Sequence, residues 1–154
     1  MANYYSATRT NYFRVTDEVK YAALFERLTG GESEVFDFTR TDENGNTWHG
    51  FGAYDTINYI VPLYDNDEES YDEEEDDYDE EYDLDQFLDE LQTILPDGEA
   101  FIMFNAGNEK LRYICGNAIV VTNTKIEVLN LESLAVAKAA EMLGNKDFET
   151  KCEY

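Results

Sequence analysis

Histidine, cysteine and proline are scarce in this chain, which has one histidine, two cysteines and two prolines in 154 residues. One histidine and two scattered cysteines do not make the four-ligand set of a structural zinc site. Cys115 and Cys152 allow a single disulfide, which is no framework, so reduced thiols in a cytosol are expected. Basic residues are few as well: 11 Lys and Arg stand against 35 acids, a formal net charge of −24, far beyond what solubility needs. Such a field repels nucleic acid and anionic membranes and attracts basic surfaces. Neither direct nucleic-acid binding nor membrane association is therefore expected. No stretch approaches the ~20 apolar residues that span a bilayer, and Met1-Ala2-Asn3-Tyr4-Tyr5 has no basic start followed by an apolar run, so no signal peptide is expected. The expected location is cytoplasmic. A phosphate-binding glycine motif is also missing. Gly50-Phe51-Gly52 sits in a strand pattern and reads as a bulge or a close approach of backbones.

What the chain does have is enough apolar and aromatic surface, 43% and 14% of residues, to offset the entropy of ordering one domain. Asn11-Tyr12-Phe13-Arg14-Val15 is β-prone, and Thr16 reads as the N-cap of a helix with Asp17 and Glu18 in its first turn. Tyr21, Leu24, Phe25 and Leu28 then mark one helical face, ended by Gly30-Gly31. Residues 35–40 and 48–54 read as strands joined by hairpin chemistry at Asp42-Glu43-Asn44-Gly45-Asn46, with a further strand over 57–63. Leu84, Phe87, Leu88, Leu91 and Leu95 form an amphipathic helix stopped by Pro96-Asp97-Gly98. Beyond it, residues 100–104, 111–115, 118–122 and 125–129 read as strands, with turns at Asn105-Ala106-Gly107-Asn108 and Asn123-Thr124. A last helix covers 131–143, closed by Gly144. This mixture, without strict β-α-β alternation, predicts an α+β fold: a mostly antiparallel sheet with about three helices packed on it, forming a single domain over 1–154.

The acids are concentrated. Residues 65–90 hold 17 of them and no base, leaving 18 acids against 11 bases elsewhere. The domain thus reads as ordinary, with an acidic, tyrosine-containing insertion over 65–83. A run of like charge is commonly a solvated, mobile loop. This one differs in its aromatics: Tyr64, Tyr71 and Tyr78 are spaced by seven, and Tyr82 follows four later, a spacing that aligns them along one side of a helix. Two states fit: a helix docked through its tyrosines, or a mobile segment ordered only at its Tyr78 end. Neighbouring carboxylates on a helix lie ~5–6 Å apart, comparable with successive phosphates on a nucleic-acid strand. An array of this kind fits a channel lined by Lys and Arg. The expected contact set is Asp65, Asp67, Glu68, Glu69, Asp72, Glu73, Glu74, Glu75, Asp76, Asp77, Asp79, Glu80, Glu81 and Asp83, with Tyr71, Tyr78 and Tyr82.

The run Asp72-Glu73-Glu74-Glu75-Asp76-Asp77-Tyr78-Asp79-Glu80-Glu81, in a small and strongly acidic chain, resembles the DNA-mimic inhibitors of phages and mobile elements, of the anti-restriction and anti-CRISPR type. The resemblance covers only the acidic segment and implies no particular fold. It implies a non-enzymatic inhibitor that occupies the nucleic-acid channel of a basic partner: a nuclease, or a restriction or CRISPR effector. Two other readings stand beside it. One is a protein-interaction module, binding through Tyr4, Tyr5, Tyr12 and Trp48, whose acidic segment only solubilises. The other is a weak binder of divalent cations.

The remaining constellations point to structure more than chemistry. Asp42, Asn44 and Asn46 echo the start of a calcium loop, but Thr47 stands where the glycine belongs and Ala53 where the bidentate glutamate belongs. A hairpin turn accounts for them. Cys115 and His49 have no flanking motif for a nucleophile and base. A packed core thiol and a strand histidine satisfied by hydrogen bonds are the expectation. No enzyme activity, cofactor or dedicated metal site is expected. Arg9, Arg14, Lys110 and Arg112 are expected to pair with the domain's own acids, with a small basic patch as the alternative.

Overall fold

Threonines take the inward positions of the first strand. The structure, a computed structural model, describes residues 4–62 and 81–150. In it, β1 (Tyr5–Thr10) turns Thr8 and Thr10 into the core, each less than a tenth exposed. Their hydroxyls are matched: Thr8 donates to the Asp55 carbonyl at 2.8 Å and accepts from Asn105 at 2.8 Å, and Thr10 accepts from the Phe51 amide at 2.9 Å. β-Branched side chains fit a pleated surface, and hydrogen bonding removes the cost of burying the hydroxyl.

The chain continues as α1 (Glu18–Phe25), β2 (Leu28–Thr29), β3 (Phe36–Asp37), β4 (Arg40–Thr41), β5 (Thr47–Trp48), β6 (Phe51–Ala53) and β7 (Asn58–Tyr59). After the acidic segment come α2 (Leu84–Gln92), β8 (Phe101–Glu109), β9 (Arg112–Val121), β10 (Ile126–Asn130) and α3 (Leu131–Leu143). Six strands form one antiparallel sheet in the order β10-β9-β8-β1-β6-β3, with β2-β7 and β4-β5 as separate ribbons. The fold is α+β with a mainly antiparallel sheet.

Strand alternation gives the sheet two unlike faces. The front face presents Phe51, Phe101, Met103 and Val121 to α1 and α2, and there the core forms with Phe13, Tyr21, Leu24, Tyr59, Phe87, Leu88 and Leu91. Its centre is aromatic: Phe13 meets Phe101 edge-on at 5.0 Å and Phe51 at 6.4 Å, geometries that add to the burial itself. The back face presents Phe36, Gly52, Arg9, Phe104, Ala106, Gly116, Ala118 and Leu129. There α3 lies along β9 and β10, and none of its 13 residues is buried.

Several expected elements are moved. Asn11–Val15 is not a strand: Phe13 makes a single bridge to His49, while the Asn11 side chain extends the ladder by accepting from the Ile102 amide at 2.8 Å. The cap of α1 is Asp17, whose carboxylate accepts from Lys20 N at 2.9 Å, and not Thr16. That helix ends at Glu26, before the glycines, and Leu28 is buried from a strand paired with Tyr59. Residues 35–40 and 48–54 divide into short pieces, β3 with β6 and β4 with β5. Asn105–Asn108 is no turn but part of β8, held by ladders to β1 and β9, and the strands expected at 111–115 and 118–122 are one long strand, Arg112–Val121. The turn lies at Lys110-Leu111, where Lys110 adopts a left-handed φ of 55°. The hairpin at 42–46, the Asn123-Thr124 turn and Gly144 with φ 62° at the end of α3 stand where the residues predict them.

Candidate functional site

The described residues on either side of 63–80 meet at one point. Val61 N donates to Glu81 O at 2.8 Å and Asp83 N to Tyr59 O at 2.9 Å, with Ile60 and Tyr82 bridged antiparallel. Ile60 N in turn donates to Arg27 O at 2.9 Å, which ties this point to β2 and the α1 layer. The segment therefore leaves and re-enters the domain at neighbouring, hydrogen-bonded positions. Asp65, Asp67, Glu68, Glu69, Asp72, Glu73, Glu74, Glu75, Asp76, Asp77, Asp79, Glu80, Tyr71 and Tyr78 lie outside the described residues. Glu81, Tyr82 and Asp83 lie at its anchored end, all exposed.

The anchor runs straight into α2. Asp83 caps this helix from an extended backbone, its carboxylate accepting from Asp85 N at 3.0 Å, and a negative charge there is favoured by the helix dipole. Phe87, Leu88 and Leu91 drive the opposite side into the core. That fixes Asp85 and Asp89, one helical turn apart, on the exposed side. Glu90 is held by Lys20 of α1, Nζ to Oε2 at 2.5 Å. Among the described residues no base makes an ion pair with Glu81, Asp83, Asp85 or Asp89. The order of the site follows from a simple division: apolar residues of α2 set the helix, and its acids extend the charge of the segment onto a rigid surface.

The other constellations are accounted for internally. His49 is buried beneath Tyr21, ring centroids 4.1 Å apart, with Nε2 2.8 Å from a Glu18 carboxylate oxygen and Nδ1 3.2 Å from the Thr39 hydroxyl. This matches the expected satisfied strand histidine. Cys115 is not near it. The thiol is half-buried instead of a core group, 2.7 Å from the Tyr4 hydroxyl. Tyr4 reaches it across β8 at Gly107, where a Cβ would lie 2.3 Å from the phenol oxygen. The hydrogen bond to Cys115, and then burial, push the Tyr4 phenol up to about 12. Burial also raises the Tyr21 phenol; its hydroxyl is the buried side-chain oxygen or nitrogen without a hydrogen-bond partner among the described residues.

Asp42 is the hub of the β4–β5 hairpin. It accepts from the Trp48 indole at 3.0 Å, from the Asn46 side chain at 2.9 Å and from the Asn44 and Asn46 amides at 2.9 Å each. These donors, Trp48 foremost, hold its carboxyl well below the usual range. Its oxygens are thus engaged by the turn itself. Of the four bases expected to pair with the domain's acids, the Arg112 side chain lies outside the described residues, and among the other three the ion pair is that of Arg14. Arg14 forks onto Glu99, and Nε lies 2.6 Å from Oε1. Arg9 stacks over Phe38 at 3.8 Å, and Lys110 occupies the β8–β9 turn. The four aromatics do not form one surface either: Tyr12 lies under Arg40 and Trp48 under Arg14, while Tyr4 reaches Cys115 and Tyr5, the next residue, is exposed on the other side of β1.

Sequence reasoning missed the open back face of the sheet. The available signal was residues 131–143, whose Leu131, Leu134, Val136, Met142 and Leu143 spread over more than one stripe of the helix. Among the described residues no helix is long and apolar enough to cross a membrane, and no three His, Cys, Asp or Glu are grouped to hold a metal ion. No family model, curated protein or solved structure matches the chain.

Proposed function

We propose that the chain is a non-enzymatic inhibitor that presents its acidic segment to a nucleic-acid-handling protein and occupies that partner's positive channel in place of DNA or RNA. The observation that carries this reading is the charge distribution: residues 65–90 hold 17 acids and no base. Supporting it, the segment's two flanks are tied together by the Ile60–Tyr82 bridge, and the acids continue onto the fixed side of α2 as Asp83, Asp85 and Asp89. A charged array held on a folded base loses less entropy on docking than a free acidic tail does. On this reading the partner is a nuclease, or a restriction or CRISPR effector. The chain works in the cytoplasm, where such enzymes meet reduced thiols.

The test is displacement of labelled duplex DNA from an RNA-guided nuclease and from a panel of restriction enzymes. The chain should release the DNA. A variant with the acids of 72–81 replaced by Asn and Gln should do so at least ~10-fold less well, the scale of losing a few charge contacts. Equal displacement by the variant would refute the reading.

A further inference from the structure

We infer that the back face of the sheet, together with α3, is the surface through which two copies of this chain associate. The main helices α1 and α2 cover only the front face. On the back, Phe36 is 39% exposed, Phe104 52%, Ile114 59%, Leu131 62%, Leu134 51% and Tyr54 79%. Phe104, Ala106, Ala118 and Leu129 of the sheet and Leu131 and Leu134 of α3 line an apolar groove. A second apolar hollow opens at the other end of the face, between Phe36, Phe38 and Tyr54. Single exposed apolar residues are ordinary, but two apolar hollows on one face of a sheet mark an association surface.

α3 needs such a partner. It has 13 residues and none is buried. A helix of that length is marginal in water on propensity alone, and most helical stability in proteins comes from packing an apolar face. Within the chain, the start of the helix packs over Gly116, where an added Cβ would lie 3.2 Å from the Leu131 side chain. Leu134, Met142 and Leu143 remain exposed.

Charge and area identify the occupant as a second copy. In a chain of net charge −24, a surface for self-association must be one from which the acids are withdrawn. Among the described side chains, the charged ones at the back-face strand positions are Arg9, stacked on Phe38, and Glu127, paired with Lys125; α3 adds Glu132, and Lys138 paired with Glu141, so acids and bases on this surface nearly balance. The anchor of the acidic segment belongs to the β7 and α2 layer on the opposite side of the sheet. Two sheets packed back to back sit ~10 Å apart, and each anchor lies a further helix layer away. The two acidic segments are thus attached roughly 30 Å apart, well beyond the ~8 Å screening length of physiological salt. With strands ~4.8 Å apart and ~3.4 Å per residue, β3, β6, β1 and β8 leave roughly 300 Å² of projected face open beside α3, and the outer side of α3 adds roughly 200 Å². Together these make roughly 500 Å² per partner, the size of a weak, concentration-dependent dimer interface.

Analytical ultracentrifugation of the full chain at about 50 µM should give twice the chain mass, and the melting temperature should rise with protein concentration. Phe104→Asp and Leu134→Asp, both at exposed positions, should each sediment as monomers while keeping the wild-type circular dichroism spectrum. A wild-type monomer at that concentration overturns the inference, as does a dimer that both variants retain. If the wild type is monomeric and dimerises only after residues 63–80 are excised, the face is covered by the chain's own segment, and the inference is likewise overturned. Should one variant unfold, the concentration dependence of the wild-type melting temperature still decides.

Discussion

Asp42 gathers four donors on one carboxylate and fixes both the hairpin turn and the Trp48 indole. Because these donors favour the ionised form, its carboxyl is held below the unfolded value of ~3.9. The sign follows from linkage. The stabilisation is fully present above about pH 4 and is lost as pH falls through the lower folded value. Asp42→Asn should therefore be less stable than wild type at pH 7, by a margin that narrows as the solution is acidified below about pH 4. Urea unfolding followed by Trp48 fluorescence at both pH values reads this directly; a margin independent of pH would count against it. At Gly107 a new Cβ would fall 2.3 Å from the Tyr4 phenol oxygen and 2.8 Å from the Tyr5 carbonyl. Gly107→Ala should then expel the Tyr4 ring, cost about 1–3 kcal/mol, and speed the reaction of Cys115 with a thiol reagent; an unchanged rate would mean that Tyr4 does not shield the sulfur. Asp42 was legible in the sequence, since Asp-Glu-Asn-Gly-Asn is turn chemistry that acts locally. Gly107 was not, because its need for an absent side chain comes from Tyr4, which lies more than a hundred residues away.

The elements divide by the same rule. α2 was readable to within a few residues, since its apolar spacing and Pro96 act within the segment. β1 was not, since its inward residues are threonines and its partners are β8 and β6, distant in sequence. Similarly, Asn105-Ala106-Gly107-Asn108 has the composition of a turn, yet ladders on both sides hold it extended, and Lys110-Leu111 turns the chain without any of the usual turn residues. Two expectations test how the elements work. Phe87 is fully buried against Phe51, Tyr59 and Phe101. Phe87→Ala should cost about 3–5 kcal/mol in chemical denaturation, while Asp85→Asn, on the exposed side of the same helix, should stay within about 0.5 kcal/mol. Excising residues 63–80 and joining the flanks through a short Gly-Ser linker should leave the melting temperature within a few degrees of wild type. The Ile60–Tyr82 bridge already holds the ends together, and loop-closure entropy changes by only ~0.6 kcal/mol per doubling of length. Collapse of the native spectrum on excision would show that the segment is part of the core.

For the whole molecule, charge was the most legible property and shape the least. The net charge of −24 and its concentration in one stretch are arithmetic on the sequence. The open back face depends on which side of a six-stranded sheet α1 and α2 choose, and no local pattern encodes that. If the acidic segment binds a positive channel, association should weaken steeply with salt, by about 10-fold or more between 50 and 200 mM, as counterions compete for the partner. Titration at two salt concentrations measures it, and a salt-insensitive affinity would point to apolar recognition. The aromatic core should be indifferent to the same change.

The Ile60–Tyr82 contact has a further consequence, for how such a chain can change over time. Because residues 59–61 and 81–83 are already paired with each other, a change in length or composition between them is expected to have little effect on the β7–α2 junction. On the proposed reading, the paired flanks are a mount, and a new partner is met by changing the residues between them.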